Sequence, residues 1–533
     1  MVTDAFADQL TRTDLRSWAR VRRYAVPAWM IEQATERRLA GDWRGACAAA
    51  HVNAEIDLAR AARELGAAEA GRLAEDLHHL VPDLLHWHLP RSLGGRSVLD
   101  PRRSVVLDAY GGQVLHAVTP HMVDGPQWVR LRLGPPGRRT QDWRTARYLW
   151  DARRTDELRE RHGGRPPFFH LDGTPRPPTS HDEGVSLLLE HGRVETAFAA
   201  SGVGLEPVDP RWLAALARFP LDLPRLGREL AALGETGDGF FVRWAGLIVH
   251  LRTEEGRPIA RWEGYGFRLD LPELAAAHWR RLPDLDLLRH GYLGPGDLHP
   301  LVRRSLFPEW TGEPTGPPGP EPPRPVRVRC GREWHEVASR DGVLAVPHDE
   351  DEIRREPAPA APGGPIGGCA AARRVWTQGP GWLPKGLRRQ RAELFARVRH
   401  GDTPAVLWLL EAGVDPRVRD SRGRSLLHHV HLLDHPLLLP RLLAAGLDLE
   451  ERDRAGRTPL HVAVGDGASE AAVRALTEAG ARLDVVDEEN MSLRDLIRRN
   501  RYAHLGFLAD AVHRLDPDLG RANLPGFWVM DDV

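Results

Sequence analysis

Aspartates at 420, 453 and 487 recur at intervals of 33 and 34 residues, and the interval is shared by their surroundings. Gly413, Gly446 and Gly480 step by 33 and 34, while Gly423 and Gly456, Ser425 and Thr458, and His428 and His461 each step by 33. A period near 33 is the mark of a stacked repeat. One helix pair of that length cannot bury its own apolar face; neighbours bury it, and an elongated surface is left over. Local chemistry agrees with this. Thr458 is placed to cap a helix and Pro459 to occupy its first turn. Gly446 and Gly480 follow helical stretches, where a left-handed residue closes a helix.

The clearest copy, Asp453–Asp487, contains GRTPLHVAV (456–464), an apolar helix and EAGARLDVVD (478–487). The copy before it reads GRSLLHHV at 423–430 and LLPRLLAAGLDLEERD at 438–453. A leading half-copy runs FARVRHGDTPAVLWLLEAGVDPRVRD (395–420). The last unit begins EENMSLRDLI (488–497), with Asn490 at the turn glycine and Asp495 in the histidine slot. Over about 390–515 the chain resembles the ankyrin repeat family. The resemblance implies a helix-turn-helix solenoid that grips a protein partner through its β-turn fingers and inner helices. Carried onto this sequence, the fingers offer Arg417, Arg419, Arg422 and Arg424, then Glu450, Glu451, Arg452 and Arg454, then Asp484, Glu488 and Glu489. It also makes His428 a structural histidine, so the cluster His428, His429, His431 and His435 is expected to hold no metal.

The whole chain reads as multidomain, an α+β N-terminal region followed by an all-α repeat stack. Residues 1–90 are expected to be helical, with helices at 31–40, 54–65 and 68–80. Residues 91–310 form an α+β region of unknown function. Its strands are expected at 104–109, 129–133, 240–251 and 259–271, and its helices at 141–160, 184–200, 210–233 and 272–290. A Pro-rich linker spans 311–325, and a small β-meander spans 326–346, with Asp341-Gly342 as its turn. A second linker, acidic and then Pro/Gly-rich, covers 347–370. A basic segment covers 371–393, the repeats 394–515 and a tail 516–533.

Composition narrows the function classes. The 533 residues carry 73 Lys+Arg against 74 Asp+Glu, a formal charge of −1, which does not fit a dedicated nucleic-acid binder. Lys385 is the single lysine, an arginine bias expected of a GC-rich bacterial genome. It is followed by Gly386, so no P-loop exists, and only this residue, beside a glycine- and proline-rich stretch, could serve as a kinase or Schiff-base lysine. Cys47, Cys330 and Cys369 are far apart and form no CxxC, so neither disulfide framework nor cysteine zinc site is expected. GxSxG, HExxH and a helix-opening GxGxxG are absent from the sequence. His335-Glu336 has no second histidine near it in sequence. At His181-Asp182-Glu183 the acids are expected to favour a helix N-terminus. The 17 tryptophans are expected chiefly to pack cores. The first residues, MVTDAFADQLTRTDL, carry early acids and no apolar stretch, and no run of about 18 apolar residues follows, so the expected compartment is the cytoplasm.

The expected function is that of a non-catalytic interaction, scaffold or regulatory protein with a protein partner, no cofactor and no membrane. Two rivals differ in class. One is an enzyme in residues 91–310 that the repeats target. The other is a nucleic-acid-associated factor using 371–400, where eight basic residues meet one acid.

Overall fold

The computed structural model describes residues 2–233, 238–265, 271–355 and 368–520. The middle of the second linker (356–367) and the tail from 521 onward lie outside the described residues. The chain divides into two compact units, 1–123 with 128–318, and 124–127 with 319–533.

The first unit mixes helices and sheets. Strands β1 (Val52–Glu55), β2 (Ser104–Tyr110), β3 (Gln113–Val118), β4 (Val129–Gly134) and β5 (Thr140–Asp142) make a sheet in the order β1-β4-β3-β2-β5. Its centre is antiparallel, and β1 and β5 join its edges in parallel. Strands β6 (Gly204–Leu205), β7 (Phe240–Trp244), β8 (Leu247–Glu254) and β9 (Arg257–Tyr265) make a second sheet, ordered β6-β9-β8-β7. The first sheet lends Val105, Leu107, Leu115 and Leu131 to a core with Trp87, Trp143 and Trp150. The second lends Val242, Val249 and Leu251 to a core with Phe198, Leu216 and Phe219.

One turn builds most of the hairpins. Gly111-Gly112 (φ 51 and 87), Ala245-Gly246 (49 and 84), Glu255-Gly256 (49 and 75) and, in the second unit, Asp341-Gly342 (50 and 73) are all left-handed pairs. Two consecutive positive φ values give the type I′ turn, whose twist matches its flanking strands. The stretch 240–251, expected as one strand, is therefore a hairpin folded at Ala245-Gly246.

Residues 141–160, expected as helix, form a short strand, a three-ten turn and the brief helix Glu157–Glu160. Aspartates there prefer local bonds: Asp142 Oδ1 accepts from the Arg144 N–H at 3.0 Å, and Asp151 Oδ1 from the Arg153 N–H at 3.0 Å. Such bonds compete with the helix ladder. Arg147 then spans Asp76, Asp108 and Asp151, and Arg153 joins Asp76 and Asp151. The helix expected at 184–200 is two helices, His181–Glu190 and Val194–Ser201, broken at Gly192 (φ 76). Ser180 and Glu183 form a capping box at its start. Glu183 is buried; burial raises its pKa, but Arg176 and three backbone N–H groups outweigh that and hold it near 2.

In the second unit, β10 (Val326–Cys330), β11 (Glu333–Arg340) and β12 (Val343–Ala345) form an antiparallel meander. Helices Cys369–Gln378 and Lys385–Arg399 follow, and the repeats begin with the latter. Each later copy supplies one helix pair: Leu426–Leu432 with His435–Ala444, Pro459–Gly465 with Glu470–Glu478, and Leu493–Asn500 with Gly506–Leu515. Leu426–Leu432 winds as a three-ten helix in the copy that has Leu426 where its neighbour has Pro459.

Candidate functional site

The repeat fingers are built by three aspartates doing the same work. Asp420 Oδ1 accepts from the N–H groups of Arg422 (2.8 Å) and Arg424 (3.0 Å). Asp453 Oδ1 accepts from Ala455 (2.9 Å) and Arg457 (3.0 Å), and Asp487 Oδ1 from Glu489 (2.9 Å) and Met491 (2.9 Å). Each turn needs a left-handed residue, supplied by Gly423 (φ 78), Gly456 (φ 71) and Asn490 (φ 60). Successive fingers are stitched by Arg454 N–H to Arg422 O and Glu488 N–H to Ala455 O, both 3.0 Å. The helix starts repeat as well. Ser425 Oγ lies 3.0 Å from His428 Nδ1, Thr458 Oγ1 lies 2.9 Å from His461 Nδ1, and Ser492 Oγ donates to Asp495 Oδ2 at 2.8 Å. Asp495 thus performs the histidine's bond. Burial lowers the pKa of His428 to about 3 and of His461 to about 4.

The candidate contact residues fall into two groups. Arg417, Arg422, Arg452, Arg454 and Glu488 are exposed at the finger tips. Arg419, Glu450 and Glu451 are half-buried and engaged within the stack. Arg419 pairs with Glu451 at 2.5 Å, and Glu450 accepts from the Arg482 N–H at 2.8 Å. Exposed Arg452 is tied down too, donating to the carbonyls of Gly456 (3.0 Å) and Val486 (2.9 Å). Arg424 is buried and pairs with Asp453 at 3.1 Å. Sequence missed the exposed Trp408 and Leu437, which lie on the second helices of consecutive copies. In the basic run, Arg397 is buried between Glu393 (3.1 Å) and Asp402 (2.9 Å), Arg389 meets Glu321 (2.7 Å), and Arg391 donates to Gly379 O (2.7 Å).

The fold also gathers what the sequence separates. Two of the three cysteines, expected to form no zinc set, converge with two histidines. The ligand atoms of Cys330, His335, His348 and Cys369 all lie within 4.8 Å of one another. Spacing along the chain gave no sign of it, because the set needs a hairpin, a loop and a helix start to close.

In the first unit, a cavity of about 150 Å³ is lined by Arg22, His88, Arg91, Trp143, His162 and Glu273 among others. Arg22 is buried and neutralised by Asp284 at 2.7 Å. Arg91 is also buried, donates from Nη2 to His86 O, and has no hydrogen-bond partner at Nε or Nη1 among the described residues. Burial, and then the Arg22 charge, lower its pKa to about 9.

Among the described residues no helix is long and apolar enough to cross a membrane. No curated protein matches the chain. Residues 394–487 match the family model for ankyrin repeats (3 copies), and the C-terminal region of this chain carries ankyrin repeats.

Proposed function

We propose that the chain is a non-catalytic scaffold or regulatory protein of the cytoplasm whose repeat stack recruits a protein partner. Ankyrin repeats generally mediate protein–protein interaction. The observation that carries the reading is the set of fingers locked by Asp420, Asp453 and Asp487, which present Arg422, Arg454 and Glu488 from rigid turns, with Arg417 held by Asp415 just before the first. Fixing the backbone beforehand lowers the ordering cost of binding. The tips run from basic (Arg417, Arg422) to acidic (Glu488, Glu489), so the fitting partner carries acids at one end of its epitope and bases at the other. Rim charges of this kind govern association rate and salt dependence.

The test is affinity capture of the full chain from its host beside a variant with Arg417, Arg422, Arg454 and Glu488 changed to alanine. A partner captured by the parent and lost from the variant supports the stack as the recruiting surface. A partner held equally by both moves the binding site off the fingers.

A second reading concerns the first unit. The uncompensated Arg91 beside the cavity favours a small anionic ligand there, since a buried cation left unpaired is costly. Thermal shift of the full chain against inorganic phosphate and a small dicarboxylate tests it. Stabilisation of the parent that disappears in Arg91→Met supports the ligand site; no shift in the parent with either probe counts against it.

A further inference from the structure

Cys330 closes β10 and His335 sits on β11, separated by a two-residue turn at Gly331-Arg332. The register pairs Cys330 with Glu333 and Val328 with His335, so Cys330 and His335 are diagonal neighbours on one face of the hairpin. His348 follows β12 at the head of the helix Glu350–Arg355. Its position is fixed by Asp349, which accepts from the Glu352 N–H at 2.7 Å while Glu352 accepts from the Asp349 N–H at 3.1 Å. Cys369 opens the helix Cys369–Gln378 and is fully buried.

The two sulfur–nitrogen distances are those of a coordination shell, and the nitrogen pair lies about 0.4 Å closer than its edge in one. Cys330 Sγ lies 3.5 Å from His348 Nε2, Cys369 Sγ lies 3.7 Å from His335 Nδ1, and the two ring nitrogens are 2.9 Å apart. A tetrahedral zinc with bonds of about 2.3 Å to sulfur and 2.0–2.1 Å to nitrogen has ligand-to-ligand edges of about 3.3–3.8 Å. The surroundings match as well. The ring nitrogen of each histidine that faces away from the cluster has a carboxylate: His335 Nε2 lies 3.3 Å from Glu333, and His348 Nδ1 lies 3.5 Å from Glu352. This is the outer shell that fixes the tautomer of a metal-bound imidazole. The backbone N–H of Cys369 points at Cys330 Sγ from 2.9 Å, as a donor to a thiolate would.

We propose that Cys330, His335, His348 and Cys369 bind one Zn²⁺ in a closed Cys₂His₂ site. Four protein ligands leave no position for substrate, so the role is structural. Two thiolates balance the metal charge in this half-buried place. The ion ties the meander to the helix Cys369–Gln378 across 39 residues of chain, much of it linker. That helix carries Trp376, whose carbonyl accepts from the Arg419 N–H at 2.9 Å, so the site braces the first finger of the stack. The proposal goes beyond partner recruitment and is measured without any partner.

The experiment uses untagged full-length chain expressed with added zinc, desalted and analysed for metals by mass spectrometry. About one zinc per chain is expected. Exchange with Co²⁺ alone is expected to give the visible bands of a tetrahedral site and a near-ultraviolet thiolate charge-transfer band. Cys330→Ser with Cys369→Ser abolishes both signals. Because that variant can misfold, Glu333→Gln and Glu352→Gln serve beside it: each keeps the ligands and weakens zinc binding by roughly 10–100-fold in chelator competition. Parent protein holding less than roughly a tenth of an equivalent of zinc, with its thiols reduced, overturns the proposal. So does a Cys330–Cys369 disulfide found by non-reducing peptide mapping.

Discussion

Arg424 reaches from the first finger of the repeat stack to Asp453 at the base of the second, Nε to Oδ2 at 3.1 Å, with both side chains less than 5% exposed. Asp453 also takes Arg457 at 2.8 Å and two backbone N–H groups, so a single carboxylate holds two fingers in register. Removing one partner of a buried pair strands the other's charge and costs about 3–5 kcal/mol. Asp453→Ala is therefore expected to loosen residues 420–461 by that order. Hydrogen exchange on the full chain checks it: protection falls in both fingers together. If only the second finger loosens, Arg424 is not a strut.

The stack is expected to weaken in mild acid. His428 and His461 are held by burial at about 3 and about 4, against roughly 6.5 in an unfolded chain. Both are neutral when folded, so below pH ~6.5 only the unfolded chain takes up their protons. Their contribution is fully present above ~6.5 and falls by about 1.4 kcal/mol per histidine per pH unit toward the folded values. The charges facing them do not reverse this. For His428 these are His429, Asp453 and Arg424, and for His461 Asp487 and Arg452. Protection of residues 425–465 measured at pH 7 and pH 5 should drop, and His428→Asn should flatten the slope. An unchanged profile would show that these imidazoles are protonated in the fold.

Much of the stack was legible because its physics is local. The finger aspartate, the left-handed glycine and the Ser/Thr-to-His cap all act within about eight residues, and even Asn490 and Asp495 showed their roles by position. What failed was long-range. The sheet order β1-β4-β3-β2-β5 pairs residues 52–55 with 129–132, and no pattern in either segment announces it. Arg424 reads as a finger cation in sequence, yet its side chain turns inward. The Cys/His cluster is the extreme case, since its members span Cys330 to Cys369 and three different elements. The helix expected at 141–160 had the right apolar spacing. It was lost to aspartates that bond their own backbone and to the arginines they collect.

Asn490 holds φ at +60, where its two sister turns have glycine. A residue with a Cβ is strained there, and asparagine is among the least penalised. Asn490→Gly is expected to raise the stability of the last copy by a few tenths of a kcal/mol, while Asn490→Val lowers it by about 1–2 kcal/mol. Thermal denaturation of the pair, with exchange read over 487–500, separates the two signs. Equal effects would mean that the turn relaxes out of the left-handed region.

Gly379 ends the helix Cys369–Gln378 at φ 93, directly against the first finger. A Cβ built there collides with the Asp420 carbonyl oxygen and comes within 3.0 Å of the Gly423 backbone. Both neighbours are main chain and belong to the turn that Asp420 organises, so neither can swing aside. Gly379→Ala thus meets a steric clash and a disfavoured φ at once, and more than about 2 kcal/mol is expected to be lost. The loss should be directional. Exchange should rise in 415–424 and in the helix 369–378, while residues 487–500, two copies away, keep their protection, because repeats couple mainly to their neighbours. Uniform loosening of the whole stack would instead show that the capping helix nucleates the array.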